Sequence, residues 1–151
     1  MFEVKKKIKP FSAAHRLIKS YQGKCRTLHG HNYDIEVCLQ AEVLDDSDLV
    51  LDFSQFTAPF NQFVQDHLDH AIIANPGDSA LCEFISSAQQ KAYLLPHNEN
   101  SSVEILSKHL FEVFHHLLED LQVPHVSLKS VCIYESPTSS ATYFKSSGIH
   151  C

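Results

Sequence analysis

Glycine is scarce, with four residues in 151, and architectures that need many tight turns between short strands, such as jelly rolls, are poorly served by that supply. Basic residues are also short: 12 Lys and Arg stand against 18 Asp and Glu. That balance argues against a protein that neutralises nucleic-acid phosphates over a broad surface, and leaves a small molecule as the expected partner. No uninterrupted apolar run follows the basic start Met1-Phe2-Glu3-Val4-Lys5-Lys6-Lys7-Ile8. Neither a signal peptide nor a membrane span fits, and the expected compartment is the cytoplasm. The cysteines Cys25, Cys38, Cys82, Cys132 and Cys151 are odd in number and irregular in spacing; without an export signal they read as reduced thiols. The length predicts a single domain over residues 1–151.

Histidine, in contrast, is abundant, with 11 residues, and neutral imidazole is the commonest metal ligand. Tyr33, Ile35, Val37, Leu39, Ala41 and Val43 alternate with polar neighbours and predict a strand. The first segment alternates too, through Phe2, Val4 and Ile8, but after Pro10 its apolar set becomes Phe11, Ala13 and Leu17, which predicts a bulge or bend in an edge strand. Val103, Leu106, Leu110, Val113, Phe114, Leu117, Leu118 and Leu121 recur at helical spacing; Ser101 and Glu104 suggest a capping box at their start, and Pro124 ends the helix. A shorter stripe, Phe56, Phe60, Phe63, Val64 and Leu68, predicts a helix starting between Ser54 and Thr57, with Pro59 near its first turn. Asn75-Pro76-Gly77-Asp78 reads as a turn, Leu81 to Ala88 as a short helix, and Val126–Glu135 with Ala141–Lys145 as a C-terminal hairpin. The expected layout is α+β: an antiparallel four-stranded sheet with two main helices on one face. Its edges invite closure by subunit contacts.

On a strand, His29 and His31 project from one face and can meet one ion. His15, on the preceding strand segment and in the parity of Phe11 and Ala13, is the candidate third ligand. Three neutral histidines without further dedicated cysteines suit zinc with one open position, the pattern of catalytic sites. The competing view is that a His-X-His pair simply tolerates a half-buried strand. Gly23, His29, His31 and Glu36 also match the opening of the cupin pattern, but Val43 stands where that pattern wants glycine, and a long helix does not belong in a jelly roll.

Taken together, Phe11-Ser-Ala-Ala-His15-Arg-Leu17, Cys25-x3-His29-Gly30-His31-Asn32-Tyr33, Asp52-Phe53, Leu68-Asp69-His70 and Tyr134-Glu135-Ser136 resemble the 6-pyruvoyl-tetrahydropterin synthase family, which includes the 6-carboxy-tetrahydropterin synthases of queuosine biosynthesis. The resemblance implies the tunnelling fold, with sheets joined into a barrel by a dimer of trimers, and 7,8-dihydroneopterin triphosphate as substrate. It implies zinc held by His15, His29 and His31, and Cys25 as proton acceptor, although a fourth zinc ligand at Cys25 is the alternative. Asp69 and His70 match a pair that works with the cysteine across a subunit boundary, and Glu135 matches the glutamate that grips the pterin edge. Ser101-Ser102-Val103-Glu104 replaces the usual Pro-Thr-x-Glu, so Ser102 and Glu104 are the corresponding substrate-binding candidates. Lys5, Lys6, Lys7 and Lys9 invite a phosphate role but suit a solvated edge guard; Arg16 and Arg26 are the better phosphate candidates. The expected activity is a carbon–oxygen lyase forming 6-carboxy-5,6,7,8-tetrahydropterin with loss of triphosphate and acetaldehyde. The alternatives are 6-pyruvoyl-tetrahydropterin formation and a non-catalytic zinc-binding module.

Overall fold

A computed structural model of the chain describes residues 1–145. The expected antiparallel core of the sheet is present. β1 (Phe2–His15) pairs with β2 (His29–Ala41), β2 with β5 (Val126–Ser136), and β5 with β6 (Ser139–Phe144). Two further strands, β3 (Ala71–Ala74) and β4 (Ala92–Leu94), extend it in parallel pairing, giving the order β4-β3-β1-β2-β5-β6. Every residue of β3 is buried, so its sequence shows no alternation to reveal it.

The parity flip at Pro10 is a β-bulge. Ile8 pairs with Ile35 and Phe11 with Tyr33, so β1 spends one residue more than β2 over that interval. The Lys9 amide, freed from the ladder, donates to Asn61 Oδ1 at 2.8 Å. β1 is an edge strand only in its first part, because Ala13 and Ala14 pair with β3 on the far side. Along that open edge Lys5 approaches Glu36, while Lys6 lies over Phe53 and Lys7 over Tyr134.

Two helices cover one face. α1 (Phe53–Phe63) starts a residue earlier than expected because Asp52 caps it, accepting from the Ser54 amide at 2.7 Å. Pro59 therefore lies inside the helix rather than in its first turn, and the chain runs on into a π turn, Val64–Leu68. The long helix, α3 (Val103–Asp120), is capped by Ser102, whose Oγ accepts from the Ile105 amide. The capping box expected from Ser101 and Glu104 does not form, since Ser101 is one residue too early and is bound to His15 instead. Phe60 of α1 and Phe114 of α3 are fully buried and stack with ring centroids 4.2 Å apart, over Tyr33, Ile35, Val37 and Leu39 of β2, all at 0% exposure. A smaller helix, α2 (Ser79–Ser87), packs Leu81 on Ile72 and Ala74. Those residues alternate with Ile73 of the main core, so α2 lies on the opposite face.

Cys25, Cys38, Cys82 and Cys132 are free thiols; Cys151 lies outside the described residues. Among the described residues, no helix is long and apolar enough to cross a membrane.

Candidate metal centre and substrate cavity

The apolar ladder of the sheet's core face ends in imidazoles. His15, the last residue of β1, is the direct register partner of His29, the first of β2, and Ala13 is opposite His31. All three histidines share parity with Phe11 and Tyr33, so strand alternation directs them to one face. Their rings are 4.7–5.2 Å apart by centroid. One ring nitrogen of each lies within 4.8 Å of the others, a group that can hold a metal ion.

Backbone carbonyls orient two of the rings. His15 Nδ1 donates to the Ser101 carbonyl at 2.7 Å, and His29 Nδ1 donates to the Thr27 carbonyl at 2.7 Å. A carbonyl only accepts, so each Nδ1 carries a proton, and Nε2 is the nitrogen whose lone pair the neutral ring offers, the arrangement of a metal-ligating histidine. His15 Nε2 is buried and has no hydrogen-bond partner. An orphaned buried acceptor is costly, and a bound cation among the three nitrogens would satisfy it. Burial is the main reason the His15 pKa falls to about 4; the neighbouring His29 and His31 lower it further, and the Ser101 hydrogen bond opposes them. His15 is thus neutral at pH 7, as a ligand must be.

A cavity of about 530 Å³ opens above these rings. Its walls include Leu17, Lys24, Cys25, Ser102, Val103, Glu104 and Glu135, so seven of the nine residues singled out in the sequence meet in one place. Cys25 belongs to a 3₁₀ turn, Lys24–Arg26. The Leu17 amide donates to its carbonyl at 2.9 Å. Cys25 lines the cavity without joining the three-histidine group. Glu135 is the extra residue of a bulge: Tyr134 pairs with Ser140 and Ser136 with Ser139. Bulges re-aim side chains, and here the carboxylate turns into the cavity. Ser102 and Glu104 reach the same wall from the start of α3, with the Ser102 hydroxyl already engaged as the cap.

Asp69 and His70 are not in this cavity. They follow the π turn and clasp Ser12, whose amide donates to Asp69 Oδ1 at 3.0 Å while its carbonyl accepts from the His70 amide at 2.7 Å. His70 has a left-handed φ of 59° and a side chain 82% exposed. It lines a second basin of about 560 Å³ with Ser12, Gly30 and Asn32, whose parity is opposite to that of the three histidines, and with His31, which borders both cavities. The two arginines suggested for phosphate are occupied. Arg16 makes two 2.6 Å bonds to Asp78, and Arg26 donates to the carbonyls of Ile18 and Tyr21.

The family described as 6-pyruvoyl tetrahydropterin synthase matches residues 3–146. The chain belongs to that family. It is similar to the 6-carboxy-5,6,7,8-tetrahydropterin synthase of Rickettsia bellii, 33% identical over 129 residues that cover 84% of this chain and 89% of the relative. It also resembles the 6-pyruvoyl tetrahydropterin synthase of Caenorhabditis elegans, with a TM-score of 0.67 at 28% identity, covering 97% and 98% of the two chains. A structure from Wolinella succinogenes shares the fold with a TM-score of 0.78 at 19% identity, covering 96% and 98%. The 6-pyruvoyl tetrahydropterin synthase family thus accounts for both the sheet and the order of its motifs. It is an enzyme family, and a pterin-processing tetrahydropterin synthase is the activity its relatives carry.

Two participants had no side-chain signature. Ser101 and Thr27 orient ligands through their carbonyl oxygens, which every residue possesses. Only the register of β1 on β2, and the placement of α3's start, makes them visible.

Proposed function

We propose that this protein catalyses zinc-dependent conversion of 7,8-dihydroneopterin triphosphate to 6-carboxy-5,6,7,8-tetrahydropterin, releasing triphosphate and acetaldehyde, as a carbon–oxygen lyase of the cytoplasmic queuosine pathway. The observation that carries this reading is the shared cavity: three histidines with one ring nitrogen each turned together, beside a thiol and a carboxylate. Three neutral imidazoles suit Zn²⁺ with an open position. His15, His29 and His31 would hold it, and zinc supplies Lewis acidity toward the substrate's side-chain oxygens when bound.

The chain's own groups divide the remaining work. Glu135 Oε1 and Oε2 accept two parallel hydrogen bonds from the amino-pyrimidine edge of the pterin, which fixes the ring. Cys25 Sγ takes a proton from the substrate side chain as a thiolate. Lys24, its neighbour in the cavity wall, offers a cation to the triphosphate. Ser102 and Glu104 bound the pterin from the α3 side. Asp69 and His70 act in a site completed by another copy, because within one chain neither lines the cavity that holds Cys25. The open first part of β1 and the outer edge of β6 are the pairing surfaces that a barrel-forming dimer of trimers would use.

The name borne by the Caenorhabditis elegans structure favours a second product, 6-pyruvoyl tetrahydropterin, which retains the side-chain carbons. Incubating the zinc-loaded protein with 7,8-dihydroneopterin triphosphate and measuring acetaldehyde separates the two. One acetaldehyde per substrate is expected; substrate loss without acetaldehyde refutes the carboxy product. Cys25→Ala is expected to stop turnover while zinc content stays intact. Loss of zinc in that variant would instead favour a thiolate ligand and a non-catalytic zinc module.

A further inference from the structure

Just ahead of α3, three consecutive residues hold three different parts of the site. The Ser101 carbonyl orients His15 at 2.7 Å, Ser102 caps α3 and lines the cavity, and Asn100 grips the loop that carries Cys25. The Asn100 side chain makes three hydrogen bonds to that loop. Its Oδ1 accepts from the amides of Ile18 and Lys19, each at 2.9 Å, and its Nδ2 donates to the Lys19 carbonyl at 3.0 Å. A second strut runs beside it, from Lys19 Nζ to the Asn98 carbonyl at 3.1 Å. Beyond the grip, Ser20 turns the chain with a left-handed φ of 54°, a conformation that a non-glycine residue holds only when its surroundings fix it. The loop then closes on itself. The Leu17 amide donates to the Cys25 carbonyl at 2.9 Å, and the Arg26 guanidinium donates to the carbonyls of Ile18 and Tyr21 at 3.2 and 2.9 Å. Braced internally in this way, the loop shifts as one piece, so the grip of Asn100 sets where Leu17, Lys24 and Cys25 stand against the wall of Ser102 and Glu104.

We propose that Asn100 is a positioning residue for Cys25: its side-chain amide fastens the loop over residues 17–26 to the start of α3 and so fixes the thiol relative to the three-histidine group. The residue that holds the thiol's loop is one peptide, about 3.8 Å, from the residue that orients a metal ligand. Thiol and ligand are thus referenced to the same short piece of backbone. Without the tie the loop samples many positions, and the thiol stands within reach of a bound substrate for only part of the time. The role in turnover rests on the reading of Cys25 as the proton acceptor; the tie itself does not.

The test uses the zinc-loaded protein. Asn100→Ala removes all three hydrogen bonds, whereas Asn100→Asp keeps an oxygen for the two amides and loses only the donor to the Lys19 carbonyl. Hydrogen–deuterium exchange at the Ile18 and Lys19 amides reads the tie directly. In Asn100→Ala it is expected to speed up about tenfold or more, and in Asn100→Asp to stay near wild type. Zinc content is expected to stay intact in both. For turnover of 7,8-dihydroneopterin triphosphate, Asn100→Ala is expected to lose about tenfold in kcat with KM changed less than about threefold, and Asn100→Asp to recover part of that loss. Unaltered exchange in Asn100→Ala overturns the tie. Faster exchange with full kcat, or an Asn100→Asp variant no better than Asn100→Ala, overturns the positioning role. Loss of zinc in Asn100→Ala also overturns it, because the residue would then act through Ser101 on His15. If Cys25→Ala turns over normally while exchange in Asn100→Ala responds as expected, it is the proton-acceptor reading that has failed, and the tie stands without it.

Discussion

Removing Asp78 tests whether the end of β1 is held in place from the opposite face of the sheet. Asp78 is 4% exposed and does two things. It receives both Nε and Nη2 of Arg16 at 2.6 Å, and it caps α2 by accepting from the Leu81 amide at 3.1 Å. Breaking a buried ion pair by deleting one partner costs about 3–5 kcal/mol. The Arg16 side chain keeps 27% of its surface in water, which trims the loss to about 2–3 kcal/mol. The lost cap adds about 1 kcal/mol. Asp78→Ala should therefore lose about 3–4 kcal/mol in urea unfolding, a large part of the roughly 5–15 kcal/mol typical of a domain. Asp78→Asn keeps a capping oxygen and should lose only about 1–2 kcal/mol. A double-mutant cycle with Arg16→Ala should give a coupling above about 1 kcal/mol. The Arg16 hydrogen bond holds the Asp78 carboxyl below its usual pKa of 3.8. The pair's contribution is thus complete above that pH and is lost as pH falls through the depressed folded value, so wild type should show a steeper acid loss below about pH 4 than Asp78→Asn. Wild-type stability in Asp78→Ala, or strict additivity with Arg16→Ala, would refute this account.

Zinc should raise the stability of metal-stripped protein by about 2.7 kcal/mol at a hundredfold excess over its dissociation constant. His15→Gln should abolish that increment, and an undiminished gain would remove His15 from the ligand set. In the metal-free protein, His15 has a folded pKa of about 4 against an ordinary 6.5. The unfolded chain therefore binds the extra proton between those values, so stability is complete above pH 6.5, declines as pH falls and levels off below about 4, for a total of about 3 kcal/mol. The urea midpoint of EDTA-treated protein from pH 7 to 4 measures it; a midpoint as flat as that of His15→Gln contradicts it.

The legible parts of the sequence are those where one face is buried and the other wet. β2 announces itself through Tyr33, Ile35, Val37 and Leu39, and the same parity carries His29 and His31 to the core face. His15 was reachable from sequence because the bulge at Lys9 and Pro10 restores its parity with Phe11. Ala71-Ile72-Ile73-Ala74 was not, because a strand buried on both faces and four residues long leaves no period to read. The cap of α3 fell one residue late because Ser101 and Ser102 are equivalent as sequence; only the position of His15 decides which of them is drawn away. Arg16 offered no hint of its partner, since Asp78 is 62 residues distant. Asp69 and His70 were legible as a pair, but the face they occupy is set by their clasp on Ser12.

Why the metal centre sits where it does follows from the same ladder. Phe11 and Tyr33 stack at 4.9 Å beside the histidine rings, and Tyr33 meets His15 and His31 in T-shaped contacts. The floor of the site is therefore the last rung of the hydrophobic core, and it is dry. Burial, followed by the Glu135 carboxylate, raises the Tyr33 pKa, and its hydroxyl has no partner. Water does not screen the site from below, so charges set into it act at lower effective dielectric than on an open surface. A cation among the three nitrogens and the carboxylate of Glu135 across the cavity would feel one another through that floor. Polar groups that bind, orient and move protons need such a base to be strong, and the fold provides it by ending an apolar strand pair in imidazole rather than in solvent.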